Sequence, residues 1–237
     1  MRFVGKSVLV AGGTGGLGRA VSQAFLAEGA RVIVTYRNQK EFDSLKGHAT
    51  NGAALEGYST DVTDENAVRQ LLDQIVAKHS RLDVLVNAVG GYAGGVNLWE
   101  QQIKVFDQML ALNLRSGYVL SRAAIPAMLK QKHGAIVNVA SKAALDHGAG
   151  ASAYAASKAA AVALMDSLAA EVRGTGVRVN SILPSIIDTE ARSGFRRKYS
   201  IPRLAASTYF GSESFLPAAS RGGSIYKFPY SESMLPS

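Results

Sequence analysis

A short apolar run that leads through a glycine-rich loop into a helical pattern constrains this chain more than any other feature. Ser7 to Val10 predicts a buried strand, and Arg19 to Leu26 carries apolar residues at helical spacing. The five glycines between them permit a tight turn and let a pyrophosphate approach the backbone N–H groups at a helix N-terminus. A plain structural turn has the same composition, but the strand before the loop and the helix after it favour dinucleotide binding. No Gly-Lys-Ser/Thr ends the loop, which argues against hydrolysis of a nucleoside triphosphate.

Tyr154 and Lys158, four residues apart, form a second candidate site. The alanine-rich segment around them predicts a helix, on which residues four apart share one face. A phenol has a reference pKa of about 10, and a neighbouring ammonium favours the phenolate. We therefore expect Lys158 to lower the pKa of Tyr154 toward the working pH of a general acid/base. The same spacing also occurs in a surface aromatic beside a surface lysine, but Ser141 stands thirteen positions upstream.

Strand and helix patterns alternate along residues 1–190. Strands are predicted near Ser7–Val10, Arg31–Thr35, Ala54–Ser59, Val84–Asn87, Ala135–Val139 and Val177–Leu183, and helices near Gly16–Ala27, Thr63–Lys78, Ile103–Lys130 with a break at Asn113, and Ala153–Arg173. This order predicts an α/β fold with a doubly wound parallel sheet in three layers, α/β/α. Ligands are expected at the carboxyl ends of the strands, where the glycine loop, Asp61, Asn87 and Ser141 all fall.

These motifs together resemble the short-chain dehydrogenase/reductase family, which has a Rossmann-like fold, over about Gly5 to Thr189. Ala11 stands where a threonine is usual, Ala88 and Val89 replace an Asn-Ala pair, and Ser185 replaces a glycine. The resemblance implies a catalytic set of Asn113, Ser141, Tyr154 and Lys158. It implies cofactor contacts at Gly12, Thr14, Gly16, Leu17, Gly18, Asp61, Val62, Asn87, Ala88, Gly90, Tyr154, Lys158, Pro184, Ile187 and Thr189.

The family's chemistry implies hydride transfer between a nicotinamide and a substrate carbonyl or alcohol, with Tyr154 moving the proton. Lys158 would also hold the nicotinamide ribose, and Asn113 would order a water that links Lys158 to solvent. The Ser141 hydroxyl would bond the substrate oxygen and stabilise its developing charge. Without the resemblance, Ser141 reads as a strand-end cap and Asn113 as a helix-breaking hydrogen bond. The four histidines show no metal-ligand spacing, so no metal site is predicted.

The end of the second strand bears on the choice of cofactor. An NAD-preferring site places an acid there, whereas this chain has Tyr36 followed by Arg37. A guanidinium suits bidentate contact with a phosphate, so Arg37 predicts a preference for NADP(H) over NAD(H). The alternative is that Arg37 faces solvent.

Composition excludes several other classes of protein. The chain lacks cysteine, which excludes disulfides and thiolate chemistry, and no apolar run approaches the roughly 20 residues that span a bilayer. The first strand begins close to Met1, which leaves no room for a signal peptide and predicts a cytoplasmic protein with no membrane contact. Five of the eight excess positive charges lie in residues 192–237, without a nucleic-acid-binding motif, so nucleic acid is not expected as a partner.

The substrate is predicted only by class. The segment from Gly90 to Gly95 and the segment from Leu183 to Thr189 resemble the dihydropteridine-reductase-like branch of the family. Glycines there would admit a flat ring, and Tyr92 or Trp99 could stack on it. An ordinary glycine loop is the alternative, and other branches that reduce 3-oxoacyl thioesters, sugars or steroids stay open.

The last part of the chain departs from the family. Residues 1–190 form the predicted dinucleotide-binding domain, and residues 191–237 form a tail rich in serine, arginine and proline in place of the usual lid and last strand. We expect the last strand to be missing or altered. A tail read out of frame, or a divergent natural lid, explains this composition. A homodimer is expected and a tetramer is in doubt; a catalytically impaired dinucleotide-binding remnant is the alternative function.

Overall fold

The computed structural model describes residues 1–49, 53–185 and, as a backbone strand, 225–227. The strands are β1 Ser7–Ala11, β2 Arg31–Tyr36, β3 Leu55–Ser59, β4 Val84–Asn87, β5 Gly134–Val139, β6 Val177–Leu183 and β7 Ile225–Lys227. The helices are α1 Gly16–Ala27, α2 Gln39–Gly47, α3 Glu65–His79, α4 Ile103–Leu110, α5 Ser116–Gln131, α6 Ala143–Asp146 and α7 Ser152–Glu171. A π-helical turn, Ala111–Arg115, joins α4 to α5.

The strands form one parallel sheet in the order β3-β2-β1-β4-β5-β6-β7. The chain crosses from one half of the sheet to the other after β3, so the strand order reverses between the neighbouring strands β1 and β4. Such a reversal opens a crevice at the carboxyl ends of the two strands, and ligands of doubly wound folds bind there. The predicted Rossmann-like, three-layer α/β/α fold is confirmed.

Alternate strand residues supply two separate apolar cores, one on each face of the sheet. Val8 and Val10 of β1 pack on the side of α1 and α2, whereas Leu9 between them packs on the side of α3, α5 and α7. All three side chains are fully buried. Because both faces are covered, β1 is buried along its whole length, which is typical of the central strands of parallel sheets.

Two helices that the sequence analysis did not predict are α2 and α6. The side chain of Asn38 accepts a hydrogen bond from Lys40 N–H and caps the start of α2. The predicted start of α3 at Thr63 shifts by two residues to Glu65, because the Asp64 carboxylate caps the helix and accepts from the N–H groups of Asn66 and Ala67. The predicted helix break at Asn113 is the π-helical turn.

The far edge of the sheet carries the altered last strand. β7 is three residues long and pairs with Ser181 to Leu183 of β6, so a last strand is present at this edge. Ile225 and Tyr226 have high β propensity, which explains how a short run still pairs. The rest of the predicted tail domain, residues 191–224 and 228–237, lies outside the described residues. Within the described part, no helix combines the length and the apolar character that crossing a bilayer requires.

Candidate active site

The glycine loop between β1 and α1 has close contacts that leave no space for a side chain at Gly13 or Gly18. Gly12 adopts φ +71°, and its N–H donates to Thr35 Oγ1 at 2.9 Å. A Cβ on Gly18 would lie 2.0 Å from the Gly12 carbonyl oxygen, and one on Gly13 would lie 2.5 Å from Val34. The first turn of α1 is therefore pressed against the loop, with its N–H groups directed toward the carboxyl end of the sheet.

A cleft of about 540 Å³ opens beside this loop at the crossover of the sheet. Its lining includes seven of the predicted cofactor-binding residues, with the unpredicted Val89 beside them: Gly12, Thr14, Arg37, Asp61, Val62, Ala88 and Gly90. Gly16, Leu17 and Gly18 begin α1 next to the loop, and Leu17 packs into the apolar core beside α1. The glycine cradle and the helix N-terminus fit a dinucleotide, since they offer space and N–H donors for a pyrophosphate.

Asn87 supports the part of the cleft wall that follows β4. It is buried at the end of β4, where its Nδ2 donates to Asn138 Oδ1 at 2.9 Å and its Oδ1 accepts from Val89 N–H at 3.2 Å. Ala88 N–H donates to the Ala11 carbonyl at 3.0 Å. The turn after β4 is thus held against the turn after β1. Asn87 therefore shapes the cleft by fixing the backbone of the turn after β4.

The π-helical turn places Asn113 against the same wall. Its amide is 1% exposed; Oδ1 accepts from Gly91 N–H at 2.9 Å, and Nδ2 donates to the Gly91 carbonyl at 3.0 Å and to Ser157 Oγ at 2.9 Å. A Cβ on Gly90 would lie 2.9 Å from Asn113 Oδ1 and 3.2 Å from Lys158 Nζ. Gly90 therefore occupies a narrow space between these two polar atoms.

Lys158 is buried and held by a single backbone acceptor. Its side chain lies on α7, and its Nζ donates to the Val139 carbonyl at 2.8 Å. Burial lowers the pKa of Lys158 to about 8, because the ammonium has lost most of its water. An ammonium has three N–H donors, so the group retains capacity to bond further oxygens.

Tyr154 shares α7 with Lys158, and Ser141 follows the strand whose Val139 carbonyl holds Lys158. Tyr154 is one turn before Lys158 on α7, and its ring meets Tyr92 edge-on with centroids 5.0 Å apart. Ser141 is two residues beyond Val139, whose carbonyl holds Lys158, and Ser141 Oγ accepts from Ala143 N–H at 3.2 Å. Because that contact uses the serine oxygen only as an acceptor, its O–H remains a donor for a ligand.

Of the remaining predicted residues, one lies within the described part of the chain and two lie outside it. Pro184 is buried just after β6, and its carbonyl accepts from Lys142 N–H at 2.9 Å. Ile187 and Thr189 lie outside the described residues. Among the described residues, no group of three His, Cys, Asp or Glu side chains could hold a metal ion.

The sequence analysis missed several residues that shape the cleft. Thr35 holds the glycine loop, Ser157 holds Asn113, and the Val139 carbonyl holds Lys158. Glu41, on the unpredicted α2, also lines the cleft and accepts from Thr14 Oγ1 at 3.0 Å. Asn38 followed three residues later by Glu41 is a helix-start pattern that could have signalled α2 and its acid.

Residues 6–200 match the family model described as short chain dehydrogenase. The chain belongs to the short-chain dehydrogenase family. Its resemblance to that family is thereby confirmed, and the chain is an oxidoreductase that depends on a nicotinamide dinucleotide. The resemblance to the dihydropteridine-reductase-like branch stays a prediction.

Relatives and solved structures of this family extend over most of the chain. The 3-oxoacyl-(acyl-carrier-protein) reductase of Thermotoga maritima is 33% identical over 190 residues, which are 80% of this chain and 77% of that protein. The structure described as ElxO with NADP bound has a TM-score of 0.82 and 28% identity, covering 92% of this chain and 93% of that one. NAD⁺-bound xylitol dehydrogenase has a TM-score of 0.78 and 27% identity, covering 84% of this chain and 76% of that one.

Proposed function

We propose that the chain reduces a carbonyl, or oxidises the matching alcohol, with Tyr154 as the general acid/base. The observation that carries this proposal is the buried Lys158 ammonium, fixed by the Val139 carbonyl one helical turn after Tyr154. A cation held there favours the phenolate form of a tyrosine oxygen brought beside it. The proposed substrates are ketones and quinones or, without a carbonyl-to-alcohol step, quinonoid pterins.

Each residue of the candidate set has a separate task in this chemistry. A bound nicotinamide dinucleotide supplies or accepts the hydride. Tyr154 gives a proton to the substrate oxygen or takes it back, and the Ser141 O–H donates to that oxygen and stabilises its charge. Lys158 donates to the Tyr154 oxygen and to a ribose hydroxyl, which its N–H groups beyond the Val139 contact allow.

Asn113 serves the proton path by shaping it. Its amide is committed to Gly91 and Ser157, and its Oδ1 and Lys158 Nζ border the space that a Cβ on Gly90 would enter. A water that bridges these two polar atoms would have a carbonyl-type acceptor on one side and an ammonium donor on the other. We propose that Asn113 holds this water and that protons from solvent reach Lys158 through it.

The dinucleotide is proposed to bind with its pyrophosphate at the glycine loop and its adenosine half near Arg37. Arg37 is exposed at the mouth of the cleft, at the end of β2, where an Arg accommodates a 2′-phosphate. No acid stands at Tyr36, whose hydroxyl donates to Gln39 and whose ring stacks on Phe42. NADP(H) is therefore the preferred cofactor over NAD(H).

Arg37→Ala is expected to weaken NADPH binding about tenfold and to leave NADH binding within about twofold, because one charge-assisted contact to the phosphate is lost. Fluorescence titration with both cofactors measures the two dissociation constants. Arg69→Ala removes the same charge from the exposed face of α3, outside the cleft, and is the matched control. Equal losses for NADPH and NADH in Arg37→Ala would contradict the assignment.

The proposed setting of the enzyme is a cytoplasmic homodimer. An open, largely apolar surface lies where α4, the π-helical turn, α5 and α7 meet, lined by Leu110, Ala111, Leu114, Tyr118 and Leu164, with the charged Asp107 and Arg115 beside them. Contiguous exposed apolar surface of this kind is typical of subunit contacts. Leu114→Asp, which introduces a charge into this surface, is expected to convert the dimer into a monomer in sedimentation velocity runs. A wild-type protein that sediments as a monomer at micromolar concentration would exclude the dimer.

A further inference from the structure

An acidic side chain stands in the part of the cleft that the proposed function gives to the adenosine ribose. Glu41 lies in the first turn of α2, and its Oε2 accepts a hydrogen bond from Thr14 Oγ1 at 3.0 Å. Thr14 belongs to the glycine loop and is 6% exposed. Both residues and Arg37 line the same cleft, so a guanidinium and a carboxylate share its mouth.

The local structure fixes the helix that carries this carboxylate. Asn38 caps α2 through Lys40 N–H at 3.0 Å, and Tyr36 stacks on Phe42 with ring centroids 4.9 Å apart and an interplanar angle of 6°. Arg19 of α1 reaches across to α2 and donates to Ser44 Oγ at 3.0 Å. Because α2 contacts both β2 and α1, the position of Glu41 relative to the glycine loop is fixed.

The charges around Arg37 are mixed. Asp61 lines the same cleft; the N–H and hydroxyl of Thr63 hold the pKa of Asp61 below its ordinary value, and the positive charge of Arg37 adds to this effect. Carboxylates on α2 and on the turn after β3 therefore share the cleft with Arg37 and offset part of its positive charge. A phosphate placed at this mouth gains from Arg37 and is repelled by Glu41 and Asp61.

A carboxylate that lines a dinucleotide cleft at the end of the second strand can accept hydrogen bonds from ribose hydroxyls. The residue at the end of β2, Tyr36, cannot do this, because its hydroxyl is turned to Gln39 at 2.6 Å. Glu41 uses Oε2 for Thr14, and a carboxylate has about four acceptor sites, so it retains capacity for a further donor.

We infer that Glu41 is a specificity-determining residue that accepts the adenosine ribose hydroxyl and opposes a 2′-phosphate, in place of the acid absent at Tyr36. This inference rests on the proposed function, since it assumes that the cleft holds a dinucleotide. It means that the NADP(H) preference is set by the balance between Arg37 and Glu41 and is therefore modest. Both NADP(H) and NAD(H) are then usable cofactors.

The test compares two adenosine nucleotides that differ at the 2′ position. Adenosine 2′,5′-bisphosphate and 5′-AMP are titrated calorimetrically into the full chain and into Glu41→Gln, which keeps an acceptor for Thr14 but loses the charge. We expect Glu41→Gln to raise the ratio of bisphosphate affinity to 5′-AMP affinity roughly tenfold. The bisphosphate should bind more tightly, and 5′-AMP should bind equally or more weakly. The rise should shrink at high salt, where charges at the exposed mouth are screened.

Asp43→Asn is the matched control, because it removes the same charge from the same helix, two residues away and outside the cleft lining. An equal rise in both variants, or none in Glu41→Gln while the wild type binds both nucleotides, would overturn the role of Glu41 and leave the proposed function standing. A wild-type chain that binds neither nucleotide would overturn the proposed function and this inference together.

Discussion

Tyr154→Phe is expected to lower turnover about a thousandfold while NADPH still binds within about threefold of the wild type. Loss of one positioned proton donor costs about 10²- to 10⁴-fold in rate, and phenylalanine keeps the ring that packs edge-on against Tyr92. The rate is followed as NADPH oxidation with the best substrate from a panel of ketones, quinones and quinonoid dihydropterins. Nucleotide binding is measured separately by fluorescence, because a folding defect would reduce both quantities together.

Tyr58→Phe supplies the control for this experiment. Tyr58 lies on β3, where its hydroxyl donates to Glu56 Oε2 at 3.4 Å, away from the residues that line the cleft. The same loss of a hydroxyl there is expected to leave turnover unchanged within about twofold. Turnover of Tyr154→Phe within tenfold of the wild type would move the proton transfer to another residue.

Lys158→Met is expected to remove activity and to stabilise the cofactor-free protein. Lys158 is 5% exposed, and this burial lowers its pKa to about 8, so the fold disfavours the charged form. The difference from the ordinary value of 10.5 corresponds to about 3 kcal/mol of destabilisation at neutral pH, as an upper limit. Methionine fills a similar volume without charge, so the apo-protein Tm should rise by about 5 °C at pH 7, after the lost Val139 contact is allowed for.

The buried lysine also predicts the direction in which the free energy of unfolding changes with pH. Between pH 8 and about 10.5 the unfolded chain holds a proton on Lys158 that the folded chain has released, so the free energy of unfolding rises with pH. Below pH 8 both states are protonated, and the penalty is present in full. Urea titrations from pH 7 to 10 should show the rise in the wild type and in the control Lys104→Met, whose lysine is exposed on α4. The rise should be absent in Lys158→Met; a wild type whose stability is flat across this window would contradict the buried, charged lysine.

Together, Tyr154→Phe and Lys158→Met separate the effect of a site residue on catalysis from its effect on folding stability. The proton donor can be removed without loss of packing, whereas the buried lysine is a functional group that the apo-fold holds at a cost in stability. Such a cost is expected where a site is organised for a ligand that is not yet bound. Bound cofactor should therefore stabilise the wild type more than Lys158→Met.

The fold was predictable because its local signals agree with its global topology. The strand, glycine loop and helix from Ser7 to Ala27 and the alanine-rich α7 carry propensity and periodicity that no tertiary contact overrides. α2 escaped prediction because its sequence, Gln39 to Gly47, is mostly polar and buries only Leu45. Its position is set by the Asn38 cap and by the Tyr36–Phe42 stack, contacts that become visible only in three dimensions.

The candidate site was predictable in its residue types and less so in its supports. The spacing of Tyr154 and Lys158 indicated a shared helix face, but not that the Val139 carbonyl would hold the ammonium. Arg37 was evident as a phosphate-binding candidate, whereas Glu41 reaches the same cleft only because α2 turns back over the glycine loop. Interactions between residues far apart in sequence depend on the crossover of the sheet, which periodicity alone does not locate.

If the cleft binds a nicotinamide dinucleotide for hydride transfer, a titration of the purified full chain with NADPH, followed by nicotinamide fluorescence, should show it. We expect saturable enhancement with one NADPH per chain, competed by adenosine 2′,5′-bisphosphate and weaker for NADH. Fluorescence that rises without saturation, or that the bisphosphate does not reverse, would contradict it.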